Sequence, residues 1–326
     1  MKVLFAGSPA IAVPSLFELS GLKGIELAGV LTNPDTPKGR SGIPLPTEIG
    51  LAAQEILEDY KTKGKKAFPI LKPVKLDSAA REQIGALEAE LLVSFACGHF
   101  FGPKFMALFP LGGINIHPSL LPKYRGATPI QTAILNRDSV TGITVQKLAQ
   151  EMDGGDILAI EELQLTGNET TGSLSKIVSE KAAVMLPAVL EKIKMGEQGI
   201  PQDHGRATHC SLISKDDAVI DWSKSVLQIQ AQIRAYNPQP LCRTIHGGRE
   251  LFILKADVFF SENRAESSGQ QNGRPGLVLR TDKCGILIQT GDGILAVTEL
   301  QYSGKKALFW KDFLNGARDF LGSTLG

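Results

Sequence analysis

The chain has 326 residues, room for roughly two domains of ~150 residues, and either could bury a sizeable core. With 43% hydrophobic and 21% charged residues and a formal net charge of +1, disorder, a disulfide-stapled miniprotein and a globally basic nucleic-acid binder are all disfavoured. The longest apolar stretch, residues 91–116, is broken by His99, Lys104, Pro103, Pro110 and several glycines, so no transmembrane helix and no membrane partner are expected. The N-terminal apolar run ends at Pro9, too short for the apolar core of a secretory signal. Cys97, Cys210, Cys242 and Cys284 are widely spaced, without a CxxC pair, so neither a metal site nor a disulfide framework is expected and a reducing cytoplasm is the default.

In chain order, the uncharged run Val3-Leu4-Phe5-Ala6 predicts a strand buried on both faces, Gly7-Ser8-Pro9 a turn, and residues 11–22 a helix. Further strands are expected at 26–31, 90–96, 113–116 and 142–148. Between the first and second of these, residues 33–46 are rich in Pro and Gly and predict a long irregular loop carrying Lys38 and Arg40. The lysines at 61, 63, 65, 66, 72 and 75 form a local positive excess that reads, on charge alone, as a solvated helix end and loop. A helical pattern follows at 173–194. The alternation of strand and helix predicts an α/β, Rossmann-like domain with a mainly parallel sheet over residues 1–195. Turn formers at 196–206 suggest a linker. Over 207–326, short β-type runs at 251–260, 276–280, 286–290 and 294–300 suit a smaller β-barrel, with helices only at 223–234 and 310–315 and a mobile polar loop at 261–274.

The most informative stretch runs Gly113-Ile-Asn115-Ile-His117-Pro118-Ser119-Leu120-Leu121-Pro122-Lys123-Tyr-Arg-Gly126. Asn115 and His117 are two apart at the end of a predicted strand, so they share a face where α/β sheets build their sites. Asp153, in Met152-Asp-Gly-Gly-Asp156, follows an apolar run and could reach the same strand end. An Asn, a His and an Asp without an activated Ser or Cys suit attack by a substrate amine on an acyl carbon. Asn115 would hydrogen-bond the developing oxyanion of a tetrahedral intermediate, and His117 would supply a second donor or a proton. Asp153 would orient His117 and raise its pKa. Taken singly each residue is weak evidence, since an NxH at a strand end is more often structural. Cys97 has no basic neighbour in sequence and reads as an inert buried thiol, and the absent GxGxxG demotes a nicotinamide oxidoreductase.

Together, Asn115-x-His117, Ser119-Leu-Leu-Pro122 and Asp153 resemble the formyltransferases that use 10-formyltetrahydrofolate. Within that family, residues 123–131 (KYRGATPIQ), residues 5–9 (FAGSP) and, in the second domain, Ile220-Asp-Trp222 and residues 233–238 (IRAYNP) resemble the branch acting on methionyl initiator tRNA, so the likeness covers nearly the whole chain. The resemblance implies a formyl-transfer site on the Rossmann-like domain, with 10-formyltetrahydrofolate as donor, no metal, and a C-terminal barrel, OB-like, that helps hold tRNA for translation initiation. It implies folate contacts at Ser119, Leu120, Leu121, Pro122, His99 and Phe101. It also implies approach of the 33–46 loop to the tRNA acceptor stem through Arg40 and Lys38, where phosphate contacts add affinity without reading sequence. The family often has an aromatic residue near Ile11 for the methionyl side chain; here an aliphatic one takes that place. Two rivals share the pattern. A formyltransferase acting on a nucleotide-sugar amine would keep Asn115, His117 and Asp153 without needing a basic loop. A noncatalytic RNA-binding protein would keep the fold without turnover, against which the intact Asn, His and Asp set argues. No heptad pattern or long exposed apolar run argues for assembly, so a monomer is the default.

Overall fold

The computed structural model describes residues 1–37, 42–260 and 273–326. They divide into two units, Met1–Pro129 with Val140–Gln164 and Ser175–Cys210, and Ile130–Ser139 with Leu165–Leu174 and Ser211–Gly326.

The first unit is built on a seven-stranded sheet. In spatial order its strands are Ile157–Gln164, Val140–Lys147, Gly113–His117, Leu91–Phe95, Lys2–Gly7, Glu26–Leu31 and Ile70–Leu71. The last five are parallel to their neighbours, while Val140–Lys147 runs antiparallel to Gly113–His117 and Ile157–Gln164 antiparallel to Val140–Lys147. Val3, Leu4, Phe5 and Ala6 are fully buried, as a parallel strand covered on both faces requires. The mainly parallel α/β class is therefore as the sequence indicates. Ile157–Gln164 escapes prediction because the four apolar residues at 157–160 are followed by Glu161 and Glu162 on opposite faces, which breaks the apolar-polar alternation of a half-buried strand.

Helices follow the parallel strands. Val13–Gly21 comes after a short 3-10 turn at Ala10–Ala12, and Glu48–Thr62 is capped by Thr47, whose hydroxyl accepts from the Gly50 amide at 2.9 Å. The lysine run closes this helix: Lys63 pairs with Asp59 and Lys66 with Glu26, while Lys65 lies over the Tyr60 ring. Much of the local positive excess is thus neutralised at the surface. The 33–46 loop is less irregular than expected, because Thr36–Pro37 pairs antiparallel with Pro44–Leu45. Its central residues, including Lys38 and Arg40, lie outside the described residues. The segment 196–206, expected as a linker, belongs to the first unit: Ile200 exchanges both backbone hydrogen bonds with Ile157.

The second unit carries an antiparallel sheet ordered Cys242–His246, Arg249–Val258, Ile294–Tyr302, Gly285–Gln289, Val278–Asp282, with Leu308–Phe309 beside Ile294–Tyr302. The C-terminal residues span its two ends, since Ser323 and Gly322 bond Val278, Leu325 bonds Gly276, and the Gly326 amide donates to Ile245. The helix Val226–Ala235 packs on this sheet behind a capping box of Ser225 and Gln228. The polar stretch at 261–272 lies outside the described residues.

The two C-terminal motifs are internal fastenings. Trp222 is buried and donates to Thr244 Oγ1 at 3.0 Å. Arg234, also buried, donates to Gln230 and to the Glu169 carbonyl, and Asn237 donates to the Leu254 carbonyl.

Candidate active site

Asn115, in the middle of the strand Gly113–His117, and His117, at its end, share one face of the sheet. Their antiparallel partners are Gln146 and Thr144, which share that face because directly paired residues do. Asp153 arrives over this face from the turn after Val140–Lys147. It sits at φ +52°, the left-handed region that Asp tolerates better than most residues. The turn needs glycine at 155, where a Cβ would overlap the Lys147 carbonyl oxygen.

The carboxylate is held at both oxygens. Oδ1 accepts from Gln146 Nε2 at 3.0 Å and from Asn115 Nδ2 at a long 3.4 Å, and Oδ2 accepts from the Gly126 amide at 2.8 Å. Gly126 itself requires its glycine, with φ +110° and the Cys210 carbonyl where a Cβ would stand.

His117 is buried, and its Nε2 lies 2.8 Å from the Tyr124 carbonyl oxygen. A carbonyl only accepts, so Nε2 carries a proton and Nδ1 is the free nitrogen of the neutral ring. Nδ1 faces Asp153 Oδ1 at 3.6 Å, an ion-pair distance beyond hydrogen bonding. Burial pushes the His117 pKa down, and the positive charge of Arg125 pushes the same way; Asp153 and the Tyr124 carbonyl oppose them but do not prevail. Asp153 does push the His117 pKa up, as expected, but the net direction is down because desolvation of the imidazolium outweighs the nearby carboxylate.

The 118–122 loop is anchored from inside. Ser119 and Leu121 are buried, with Ser119 Oγ donating to the Lys123 carbonyl and Thr144 Oγ1 bridging the Ser119 carbonyl and the Leu121 amide. Leu120 and Pro122 are half-buried, so of the four loop residues assigned to folate these two keep exposed side-chain surface while Ser119 and Leu121 turn inward. His99 and Phe101 follow the adjacent strand Leu91–Phe95, on the same edge of the parallel sheet as His117. Phe101 stacks on Phe105 at 5.3 Å, while His99 Nε2 is buried without a hydrogen-bond partner among the described residues. Burial lowers the His99 pKa and raises the Cys97 thiol to about 11, leaving Cys97 protonated. Ile11 is half-buried in the 3-10 turn after Lys2–Gly7, whose Gly7 pairs with Phe95.

The structure thus gathers Asn115, His117 and Asp153, and places the His99, Phe101 and Ile11 segments after neighbouring parallel strands. Lys38 and Arg40 lie outside the described residues. Sequence reasoning overlooked Gln146 and Thr144, although a signal was present: they alternate with the apolar Ile143 and Val145.

Comparison with known proteins extends over the whole chain. Residues 1–190 match the family described as formyl transferase and residues 212–318 its C-terminal domain. A methionyl-tRNA formyltransferase of Treponema denticola is 46% identical, with 98% of each chain covered, and that of Borrelia duttonii is 40% identical, with 99% of each covered. Among solved structures, the sugar 3N-formyl transferase WlaRD shares the fold with a TM-score of 0.61 at 19% identity, covering 94% of this chain and 99% of that one. HypX from Aquifex aeolicus in complex with tetrahydrofolic acid gives a TM-score of 0.64 at 16% identity and covers 98% of this chain, which spans about half of HypX. These matches, on both units of the fold and around the gathered Asn, His and Asp, show that the chain belongs to the formyl transferase family.

Proposed function

We propose that this protein transfers a formyl group from 10-formyltetrahydrofolate to the α-amino group of methionyl initiator tRNA. The observation that carries the reading is the meeting of Asn115, His117 and Asp153 on one sheet face in a chain similar over its full length to proteins named methionyl-tRNA formyltransferase.

The donor supplies an acyl carbon bound to a nitrogen leaving group. The segment after Leu91–Phe95 suits such a polar, aromatic molecule, since His99 offers a buried nitrogen with no partner among the described residues, two positions before Phe101. The neutral amine of the methionyl group adds to the formyl carbon. Asn115 Nδ2, held to Asp153 by a long hydrogen bond, turns its N–H to the oxygen on which negative charge develops. His117, neutral and with Nε2 already donating to the Tyr124 carbonyl, accepts the amine proton at Nδ1. That step creates an imidazolium in a buried place, and Asp153 at 3.6 Å compensates its charge. His117 then returns the proton to the departing nitrogen. His117 therefore acts as base and then acid, and Asn115 is the oxyanion donor. Arg40 and Lys38 hold tRNA phosphates, and Ile11 receives the methionyl side chain.

The test is transfer of labelled formyl from 10-formyltetrahydrofolate to charged initiator methionyl-tRNA, beside an amino-sugar nucleotide and a His117→Ala control. Transfer to the tRNA that vanishes in the control is the expected result. Transfer only to the sugar would replace the acceptor, and binding of tRNA without transfer to either would make the protein a noncatalytic binder.

A further inference from the structure

Behind Asp153 lies a chain of buried amides. Gln202 comes from the segment expected to be a linker, yet it is 6% exposed, and Gln146 and Arg125 are each 1% exposed. The Arg125 guanidinium donates to Gln202 Oε1 twice, from Nε at 3.2 Å and Nη2 at 2.7 Å. An arginine has no acceptor, so this fork dictates that the Gln202 oxygen faces it and that Nε2 points the other way. There Nε2 meets Gln146 Oε1 at 3.1 Å, the Asp153 carbonyl at 2.9 Å and the Gly155 carbonyl at 2.7 Å. Gln146 Oε1 also accepts from the Gly155 amide at 3.1 Å, so its own Nε2 must donate, and it does so to Asp153 Oδ1. Arg125 is fixed in turn by Glu151 at 2.7 Å, which also faces His204 at 3.0 Å.

We propose that Gln202 is a positioning residue of the active site: oriented by Arg125, its amide sets the polarity of Gln146 and grips both carbonyls of the Asp153 turn, and so aims the Asp153 carboxylate at His117. The role rests on the reading of Asp153 as the partner of His117. An amide in this place serves better than a carboxylate, which would satisfy Arg125 but oppose three further oxygens. Through this contact, a stretch of chain remote in sequence from the Asn, His and Asp set becomes part of the machinery.

The experiment compares Gln202→Glu, which keeps Arg125 paired, and Gln202→Leu, each made in the wild-type and Asp153→Asn backgrounds. Formyl transfer is measured for kcat and for both KM values, with thermal unfolding to establish the folded fraction. The expected result is a fall in kcat of about tenfold or more with little change in either KM, as misplacement of a catalytic group produces. In the Asp153→Asn background the same changes cause no further loss, because they act through that residue. Unchanged kcat per folded molecule, or equal losses in the two backgrounds, would overturn the proposal.

If the wild-type protein transfers no formyl group to methionyl-tRNA, the functional reading fails, and the positioning role is decided by NMR titration of His117. The groups acting on that ring are Asp153, Arg125 and the Tyr124 carbonyl. Gln202→Leu then lowers the His117 pKa in the same direction as Asp153→Asn if the carboxylate loses its aim. A titration identical to wild type refutes the role.

Discussion

At the scale of single residues, the tautomer of His117 decides what the ring can do. A proton fixed on Nε2 by the Tyr124 carbonyl leaves a lone pair at Nδ1, and burial keeps the ring neutral, so the residue is ready to accept a proton. In the mechanism proposed above, the form that works is the deprotonated one. As pH falls, the proposed base is lost through a His117 pKa below the ordinary value of 6.5, so the acid limb of kcat/KM lies below the usual imidazole range. Asp153→Asn removes a charge that raises this pKa, so the limb moves further toward acid while kcat falls; a pH–rate profile of the two proteins checks both changes. Asn115→Ala removes a donor needed where charge develops. It should lower kcat by about 10²–10³ with little effect on substrate KM, measured by steady-state formyl transfer. The Asn and His were legible as a pair from their spacing, but the choice between donor and acceptor for His117 was not. It depends on Tyr124, whose carbonyl is brought under the ring by the loop's return.

At the scale of elements, the turn carrying Asp153 is as demanding as the strand beneath it. Asp153 holds a positive φ, and the Lys147 carbonyl occupies the space a side chain at 155 would need. Gly155→Ala must displace that backbone and shift the carboxylate. The expected cost is roughly 1–3 kcal/mol of stability with a kcat loss larger than the unfolded fraction explains, seen by denaturant unfolding and activity on the same samples. The Gly-Gly pair was readable as a turn, and its reach to the strand end was expected, but the path that brings it there was not legible. That reach follows from Val140–Lys147 running antiparallel to Gly113–His117, which sends the chain to the far edge before it returns over the face. The edge strand Ile157–Gln164 escaped notice because the adjacent Glu161 and Glu162 put a charge on each face and erase the two-residue alternation.

At the scale of the whole molecule, buried neutral histidines couple folding to pH. His117 and His99 both have pKa values lowered by burial, so the unfolded chain binds protons that the folded one refuses. Stability is therefore full above the unfolded imidazole value near 6.5 and falls as pH drops from there toward the folded values. Thermal unfolding between pH 5 and 8 should show a midpoint that declines on the acid side, with a shallower decline in a His117→Gln variant. The two units differ in how they use their signature residues. In the first, Asn115, His117 and Asp153 meet on one sheet face; in the second, Trp222, Arg234 and Asn237 are tied into the fold of that unit by internal hydrogen bonds.

Sequence alone determined the mainly parallel sheet, the smaller β unit and the spacing that pairs Asn115 with His117, because periodicity, turn formers and a two-residue offset are local properties. Only the tertiary structure decided which nitrogen of His117 is free, that burial outweighs Asp153 in setting its charge, that Ser119 and Leu121 face inward, and that Gln202 belongs with Asp153. Each of these depends on desolvation or on a hydrogen bond between segments far apart in the chain, and neither quantity is written in the order of residues until the backbone brings them together.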